Sequence, residues 1–116
     1  MRGGRCARAI YWRARAGQFD AYSDYLRTQV EPIDHEARRC GALTGFMTLV
    51  DRSADAPWTH MRLFTFDHAE QRADMVNALA RAAAALTPDA QERATRASYA
   101  AGLRDKVGES DFDLLD

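Results

Sequence analysis

Leu43-Thr-Gly-Phe-Met-Thr-Leu-Val50 is followed by a polar stretch through Asp51, Ser53, Asp55 and Pro57, and then by Trp58-Thr-His-Met-Arg-Leu-Phe-Thr-Phe66. Two runs rich in β-branched and aromatic residues, on either side of a turn rich in Asp, Ser and Pro, read as a β-hairpin. Clean alternation is missing: Phe46 and Met47 are adjacent, as are Leu49 and Val50, so large apolar groups emerge on both faces of the sheet. The strand expected upstream, Ala7-Arg-Ala-Ile-Tyr-Trp-Arg-Ala14, repeats the pattern with Ile10, Tyr11 and Trp12 in succession, and Gly17 punctuates its end. Helices can bury one such face, and the other needs a cover of its own.

Between these strands, Phe19, Tyr22, Leu26, Val30, Ile33, Ala37 and Cys40 recur at steps of three and four, the apolar stripe of a helix about six turns long. Pro32 lies inside it and predicts a kink near Thr28 and Gln29, or two helices end to end, and Gly41 is the natural stop. After the hairpin, Asp67 with Glu70 has the form of a capping box in which an acid replaces Ser or Thr. The helix it opens runs through Met75, Val76, Leu79, Ala83 and Leu86. Thr87-Pro88 then supplies the N-cap and first-turn proline of a third, shallowly buried helix near Asp89 to Lys106, ended by Gly108. Phe112-Asp-Leu-Leu115 is expected as a short last strand or an ordered tail.

The order strand, helix, strand, strand, helix, helix, possible strand predicts an α+β fold: a split βαβ antiparallel sheet, with the first and third strands central and the helices on one face. At 116 residues and 13.0 kDa the chain fits one domain, with residues from about 105 to 116 as an acidic tail or last strand. No further domain is left to cover the second face, so a second copy of the same sheet is the expected cover, giving a two-fold homodimer.

Composition removes several classes of function. Hydrophobic residues make up 47% and charged residues 28%, ordinary globular usage. A net charge of −1, from 16 basic and 17 acidic side chains, gives no broad cationic footprint for nucleic acid. No apolar run has the roughly 18–20 residues of a membrane span, and no signal-peptide core follows the N-terminus, so a cytoplasmic protein is expected. The Arg-rich start also has the composition of a transit peptide, but it runs straight into the first strand. Charge is uneven along the chain: Arg2, Arg5, Arg8, Arg13 and Arg15 open it, while Asp105, Glu109, Asp111, Asp113 and Asp116 close it with only Lys106 opposed, so the two ends are expected to meet. Cys6 and Cys40 have no CxxC or zinc spacing and are read as reduced thiols. No phosphate-cradling glycine loop and no GxSxG elbow is present.

The aromatic strand Ala9-Ile-Tyr-Trp-Arg13, the Gly17 turn, the long first helix with Pro32, the Gly45-Phe46 strand and the Phe64-Thr-Phe-Asp67 entry into the second helix together resemble the dimeric α+β barrel superfamily. The resemblance spans nearly the whole chain and implies a ferredoxin-like domain that dimerises sheet to sheet into an α+β barrel. It also implies a ligand pocket between the first helix and the sheet. The superfamily holds cofactor-independent monooxygenases, polyketide cyclases, muconolactone isomerases, haem-degrading enzymes, chlorite dismutases and effector-binding domains, so it implies no single reaction. The extra third helix and the weak final strand depart from its simplest pattern.

Candidate chemistry sits on the central strands. His60 and Arg62 share a face of the third strand with Trp58 and Phe64, and Tyr11 and Arg13 share a face of the first. If the two sets lie on the same side of the sheet, His60 is the general acid or base, Tyr11 the proton donor, and Arg62 or Arg13 the charge that holds a carboxylate or a developing oxyanion. Tyr22, on the inward stripe of the first helix, is expected to line the pocket, whose walls are Trp12, Trp58, Phe46 and Phe64. The plainer reading has the arginines paired with carboxylates across the dimer and His60 satisfied at the barrel rim. Asp34, His35 and Glu36 read as a solvated helix face, Glu31 and His35 lack a third ligand for a metal, and His68 is read as exposed beyond the Asp67 cap.

The expected function is therefore that of an enzyme without metal or organic cofactor, acting on a small apolar oxygen-bearing molecule by cyclase, isomerase or lyase chemistry. One alternative is a cofactor-free or haem-using monooxygenase, with His60, the histidine on a strand, as axial ligand. The other is a non-catalytic ligand-binding or structural dimer.

Overall fold

The computed structural model describes residues 4–115. Four strands form one antiparallel sheet: β1 (Cys6–Ala14), β2 (Gly45–Val50), β3 (His60–Phe66) and β4 (Arg104–Asp113), in the spatial order β2-β3-β1-β4. β1 and β3 are central, as the hydrophobic pattern requires. Helices α1 (Phe19–Tyr25), α2 (Glu31–Arg39), α3 (Ala69–Ala73), α4 (Met75–Leu86) and α5 (Ala90–Ala101) complete the element set.

The first helix is broken where Pro32 demands it. A π-helical turn, Leu26–Val30, separates α1 from α2, and the Glu31 N–H donates five residues back to the Leu26 carbonyl. Pro32 has no N–H to offer Thr28, and the wider turn immediately upstream absorbs that missing bond. At the far end Gly41 adopts φ +81°, and the N–H groups of Gly41 and Ala42 donate to Arg38 O and Ala37 O, both at 3.0 Å. This left-handed close needs a residue without a Cβ.

Three boundaries differ from the sequence reading. The cap of α3 is His68, one residue later than Asp67, and the Gln71 side-chain oxygen accepts from the N–H groups of both Asp67 (2.7 Å) and His68 (3.3 Å). α5 stops at Ala101 because Gly102, and not Gly108, ends it, with buried Leu103 turning the chain into the sheet. Of the two expectations for the end of the chain, tail or last strand, the structure has the strand, longer and earlier than Phe112 to Leu115: Arg104–Asp113, ten residues paired with β1 along its length. Its residues are mostly exposed, so it carries little hydrophobic alternation to announce it. A register shift opposite Tyr11 and Trp12 marks a β-bulge in this pair.

The charged ends of the chain meet as their composition predicts: Arg8 of β1 pairs with Asp111 of β4 (2.8 Å), and Arg15, just past the end of β1, pairs with Asp105 of β4 (3.1 Å). Arg2 and Asp116 of those clusters lie outside the described residues.

Register decides which side chains see the helices. Cys6 pairs with Phe66, Arg8 with Phe64, Ile10 with Arg62 and Trp12 with His60, so these eight share one face. One core cluster gathers Cys6, Phe64, Phe66, Leu43, Ala37 and Met75 beneath α2 and α4, and a second gathers Tyr22, Leu26 and Leu103 with Trp12 beneath α1. The opposite face carries Ala7, Ala9, Tyr11, Met61, Leu63, Met47, Leu49 and Phe112, with no helix of the described residues over it. The Cα atoms span 47 × 38 × 17 Å, the thickness of one sheet and one helix layer.

Candidate functional site

The polar groups of interest lie in the layer between α1, α2 and the helix-facing side of β3. His60, at the start of β3, is 1% exposed. Its Nε2 lies 2.9 Å from Ser23 Oγ on α1, and its Nδ1 lies 2.8 Å from Thr59 Oγ1. The Ala14 N–H donates to Thr59 Oγ1 at 2.8 Å and the Ser23 hydroxyl donates to Phe19 O at 2.9 Å. One proton arrangement satisfies the whole chain: Thr59 donates to Nδ1, and an Nε2–H donates to Ser23. Phe19 and Tyr22 flank the ring, each with its centroid at 4.6 Å. Burial, aided by the nearby Arg52 charge, pushes the imidazole down to about 4, so His60 is neutral at physiological pH.

Arg62, two residues on, points the same way. Its guanidinium donates to the Asp34 carboxylate on α2 and, at 3.0 Å, to Thr48 Oγ1 on β2. Burial lifts the Asp34 pKa above its ordinary value, and the charge of Arg62 opposes that rise. Asp34 is thus corrected from solvated helix face to buried ion-pair partner. Tyr22 is fully buried and its hydroxyl accepts from Arg104 Nη1 at 3.0 Å, while the Arg104 guanidinium lies 3.8 Å over the Trp12 ring. Burial raises the Tyr22 phenol, with Arg104 opposing, so Tyr22 stays protonated.

The expected constellation is divided by the sheet. His60, Arg62, Trp12, Phe46, Phe64 and Tyr22 share the helix-facing layer, with Phe64 in the core and Phe46 meeting the edge of His35 at 4.9 Å. Tyr11 and Arg13 occupy the other face, because Trp12 is the residue opposite His60 and neighbours along a strand point apart. Tyr11 packs on Trp58 at 5.8 Å, which puts Trp58 on that far side too. Arg13 donates to Ala56 O at 2.8 Å and Pro57 O at 3.4 Å, clamping the loop between β2 and β3. Tyr11, Arg13 and Trp58 therefore do not join His60.

Three groups that sequence reasoning passed over, Ser23, Thr48 and Arg104, complete the layer with Asp34, which it had placed in solvent. Asp34 alone carried a signal, since it lies four residues after Val30 and three before Ala37, on the edge of the apolar stripe. A half-open cavity of about 170 Å³ reaches this layer, lined by His60, Ser23, Thr48, Val50, Leu26, Arg27 and Glu31. At about 30 Å³ per water it has room for roughly five or six water-sized groups. Among the described residues no group of three His, Cys, Asp or Glu side chains is placed to hold a metal, and no helix is long and apolar enough to cross a membrane.

No family model and no curated protein matches the chain. Among solved structures it is similar to HapK from Hahella chejuensis, with a TM-score of 0.59 and 17% sequence identity over 95% of this chain and 92% of that one. At this identity the likeness concerns the fold. Together with the strand order it makes the chain an α+β protein of ferredoxin-like topology.

Proposed function

We propose that this protein is a cytoplasmic, cofactor-independent enzyme of small-molecule metabolism, a homodimer of the dimeric α+β barrel superfamily. It acts on a small apolar oxygen-bearing compound by acid-base chemistry of the cyclase, isomerase or lyase kind. The observation that carries this reading is the His60–Ser23 pair in the wall of a cavity that also presents Glu31 and Thr48.

Substrate entry exchanges two internal bonds for two to the substrate: the neutral His60 Nε2–H leaves Ser23 and donates to a carbonyl oxygen without giving up its proton, and the Ser23 hydroxyl leaves Phe19 O to donate beside it. The Glu31 carboxylate takes the proton from the carbon next to that carbonyl. The C–H bond breaks, its electron pair moves onto the oxygen as an enolate, and His60 and Ser23 hold the charge. Return of the proton to a different carbon is isomerisation, and attack of the enolate carbon on a second carbonyl is ring closure. Arg62 keeps its place in the layer through Asp34 and has no part in the proton transfer. The two free thiols, Cys6 buried and Cys40 exposed, support a reducing compartment.

The test is deuterium exchange at the α-carbons of acetoacetate, acetylacetone and cyclohexanone in heavy water, followed by proton NMR. Exchange above the buffer rate that falls about a hundredfold in Glu31→Gln and in His60→Gln supports the mechanism. Exchange at the buffer rate with every probe, with unmoved His60 ring resonances, counts against it.

One observation favours a ligand-binding or structural dimer instead: both nitrogens of His60 and the guanidinium of Arg62 already have partners within the chain. The same observation bears on haem. An axial ligand needs a free imidazole nitrogen facing an open space, and His60, 1% exposed with both nitrogens engaged, does not fit that role.

A further inference from the structure

A second cavity, of about 210 Å³, lies beneath α5, on the far side of Tyr22 from the His60 cavity. Its lining includes three arginines, Arg93, Arg96 and Arg104, and no aspartate or glutamate. Arg96 is paired with Glu92 at 2.9 Å on the solvent side. Arg93 spends Nη1 on the main-chain oxygens of Thr87 (2.7 Å) and Pro88 (2.8 Å), and Arg104 spends Nη1 on the Tyr22 hydroxyl. Neither Arg93 nor Arg104 has a carboxylate partner among the described residues. Each guanidinium carries five N–H donors, so most of theirs remain for a ligand.

Half-buried positive charge without a counter-ion is unfavourable in a cavity whose other walls are largely apolar. The apolar part of those walls is Tyr25, Ile33, Ala83, Ala97 and Ala100, and Gln29 and Thr87 are neutral polar residues among them. The cavity adjoins a wider groove between α1 and α5, of about 580 Å³, with which it shares Tyr25, Gln29 and Arg96. In that groove the rings of Tyr25 and Tyr99 stand 5.8 Å apart. The carboxylate that lines the groove, Asp24, is paired with Arg27 at 2.5 Å, so cationic charge inside and tyrosine rings outside describe an amphiphilic anion held head first.

We infer that this protein binds an aromatic carboxylic acid under α5, its carboxylate between Arg93 and Arg104 and its ring in the groove of Tyr25 and Tyr99. A carboxylate suits the planar guanidinium fork, with two parallel N–H···O bonds to one arginine and a further donor from the other. The site stands apart from the role of His60, because the residues that hold the acid belong to α5 and β4 and leave the Ser23 hydrogen bond untouched.

Calorimetric titration of the full chain with cinnamate, cinnamamide and inorganic phosphate tests the inference. Cinnamate is expected to bind about tenfold or more tightly than its neutral amide, which removes only the charge. It is likewise expected to outbind phosphate, which has no ring. Arg93→Gln and Arg104→Gln are each expected to weaken cinnamate by about tenfold while leaving cinnamamide unchanged. The hydrogen bonds of half-buried Arg93 go to two main-chain oxygens at the start of α5 and not to the Trp12 layer, so its variant reports binding even where Arg104→Gln disturbs the packing of Trp12. Equal affinity for acid and amide, phosphate binding as tightly as cinnamate, no heat with cinnamate, or unchanged cinnamate affinity in the Arg93→Gln variant overturns the inference.

Discussion

Arg62 on β3 and Asp34 on α2 form an ion pair in which the side chains are only 4% and 1% exposed, so a strand and the helix above it are joined through two charges taken out of water. Thr48 holds the rest of the Arg62 guanidinium from the neighbouring strand. A buried pair of this kind stabilises little against an apolar replacement, yet losing one partner strands the other charge. Asp34→Leu and Arg62→Met are each expected to lower unfolding free energy by about 3–5 kcal/mol, and the Asp34→Leu, Arg62→Met double variant to recover most of that loss. Urea titration of the four proteins checks this, and single variants that cost less than about 1 kcal/mol would show that water reaches the pair.

His60 makes stability depend on acid. Its pKa in the fold is about 4, against 6.5 in an unfolded chain, mainly because burial disfavours the imidazolium. Above pH 6.5 neither state carries the proton, and His60 neither gains nor loses by folding. Between about 6.5 and 4 the unfolded chain binds the proton and the folded chain does not, so stability falls as the pH falls through that window. The loss is on the order of 2–3 kcal/mol at its lower end. Replacing His60 with Gln should flatten the profile of urea midpoint against pH in that window. Arg52, the second cause, is exposed and screened, so Arg52→Gln should move the profile far less than His60→Gln.

The central places of β1 and β3, the break at Pro32, the stop at Gly41 and the meeting of the charged ends were all legible, because each follows from a local signal: apolar periodicity, a missing N–H, a left-handed residue, a run of like charge. Register was not. Tyr11 and Trp12 are adjacent, and which one stands opposite His60 depends on the pairing of β1 with β3, a choice that moves Tyr11 and Arg13 across the sheet together, whereas Trp58 parts from His60 because it precedes β3 and strand alternation does not reach it. β4 was legible only as one of two alternatives, strand or tail, because an edge strand exposed on most of its surface has no reason to alternate. Arg104 was missed, although it is the residue that ties the Tyr22 hydroxyl to the Trp12 ring.

Arg8 and Asp111 stand directly opposite each other in the pairing of β1 with β4, and two bonds, of 2.8 and 3.2 Å, join them. Arg72 approaches the same carboxylate at 3.6 Å. The hydrogen bond from Arg8 holds the Asp111 carboxyl below its ordinary value, so its contribution is present above the carboxylate range and is lost as the pH falls through it. Asp111 is 42% exposed, which limits the energy. An Arg8→Ala, Asp111→Ala double-mutant cycle is expected to give a coupling of about 0.5 kcal/mol that shrinks as salt is added. A coupling above about 2 kcal/mol would mean that the pair sets the register of the edge strand rather than decorating it.

The sheet face away from the helices presents Met47 at 54%, Leu49 at 40% and Phe112 at 47% exposure, beside Tyr11, Trp58, Met61 and Leu63. Methionine, leucine and aromatic rings side by side on four adjacent strands form a contiguous apolar surface of the kind that soluble monomers seldom leave in water. A second copy laid face to face buries the same residues on both partners and closes the two layers into four, a self-complementary two-fold arrangement. Sedimentation equilibrium of the purified chain is expected to give twice 13.0 kDa. A Met47→Glu, Leu49→Glu variant puts two like charges from each partner at that seam and should shift the equilibrium to monomer, since desolvating an unpaired carboxylate costs several kcal/mol. These side chains make no core contact with the helices, so the variant monomer should keep its helical circular dichroism. A wild-type monomer, or a dimer that survives both glutamates, would place the partner surface elsewhere and leave the apolar face to be covered by something other than its own copy.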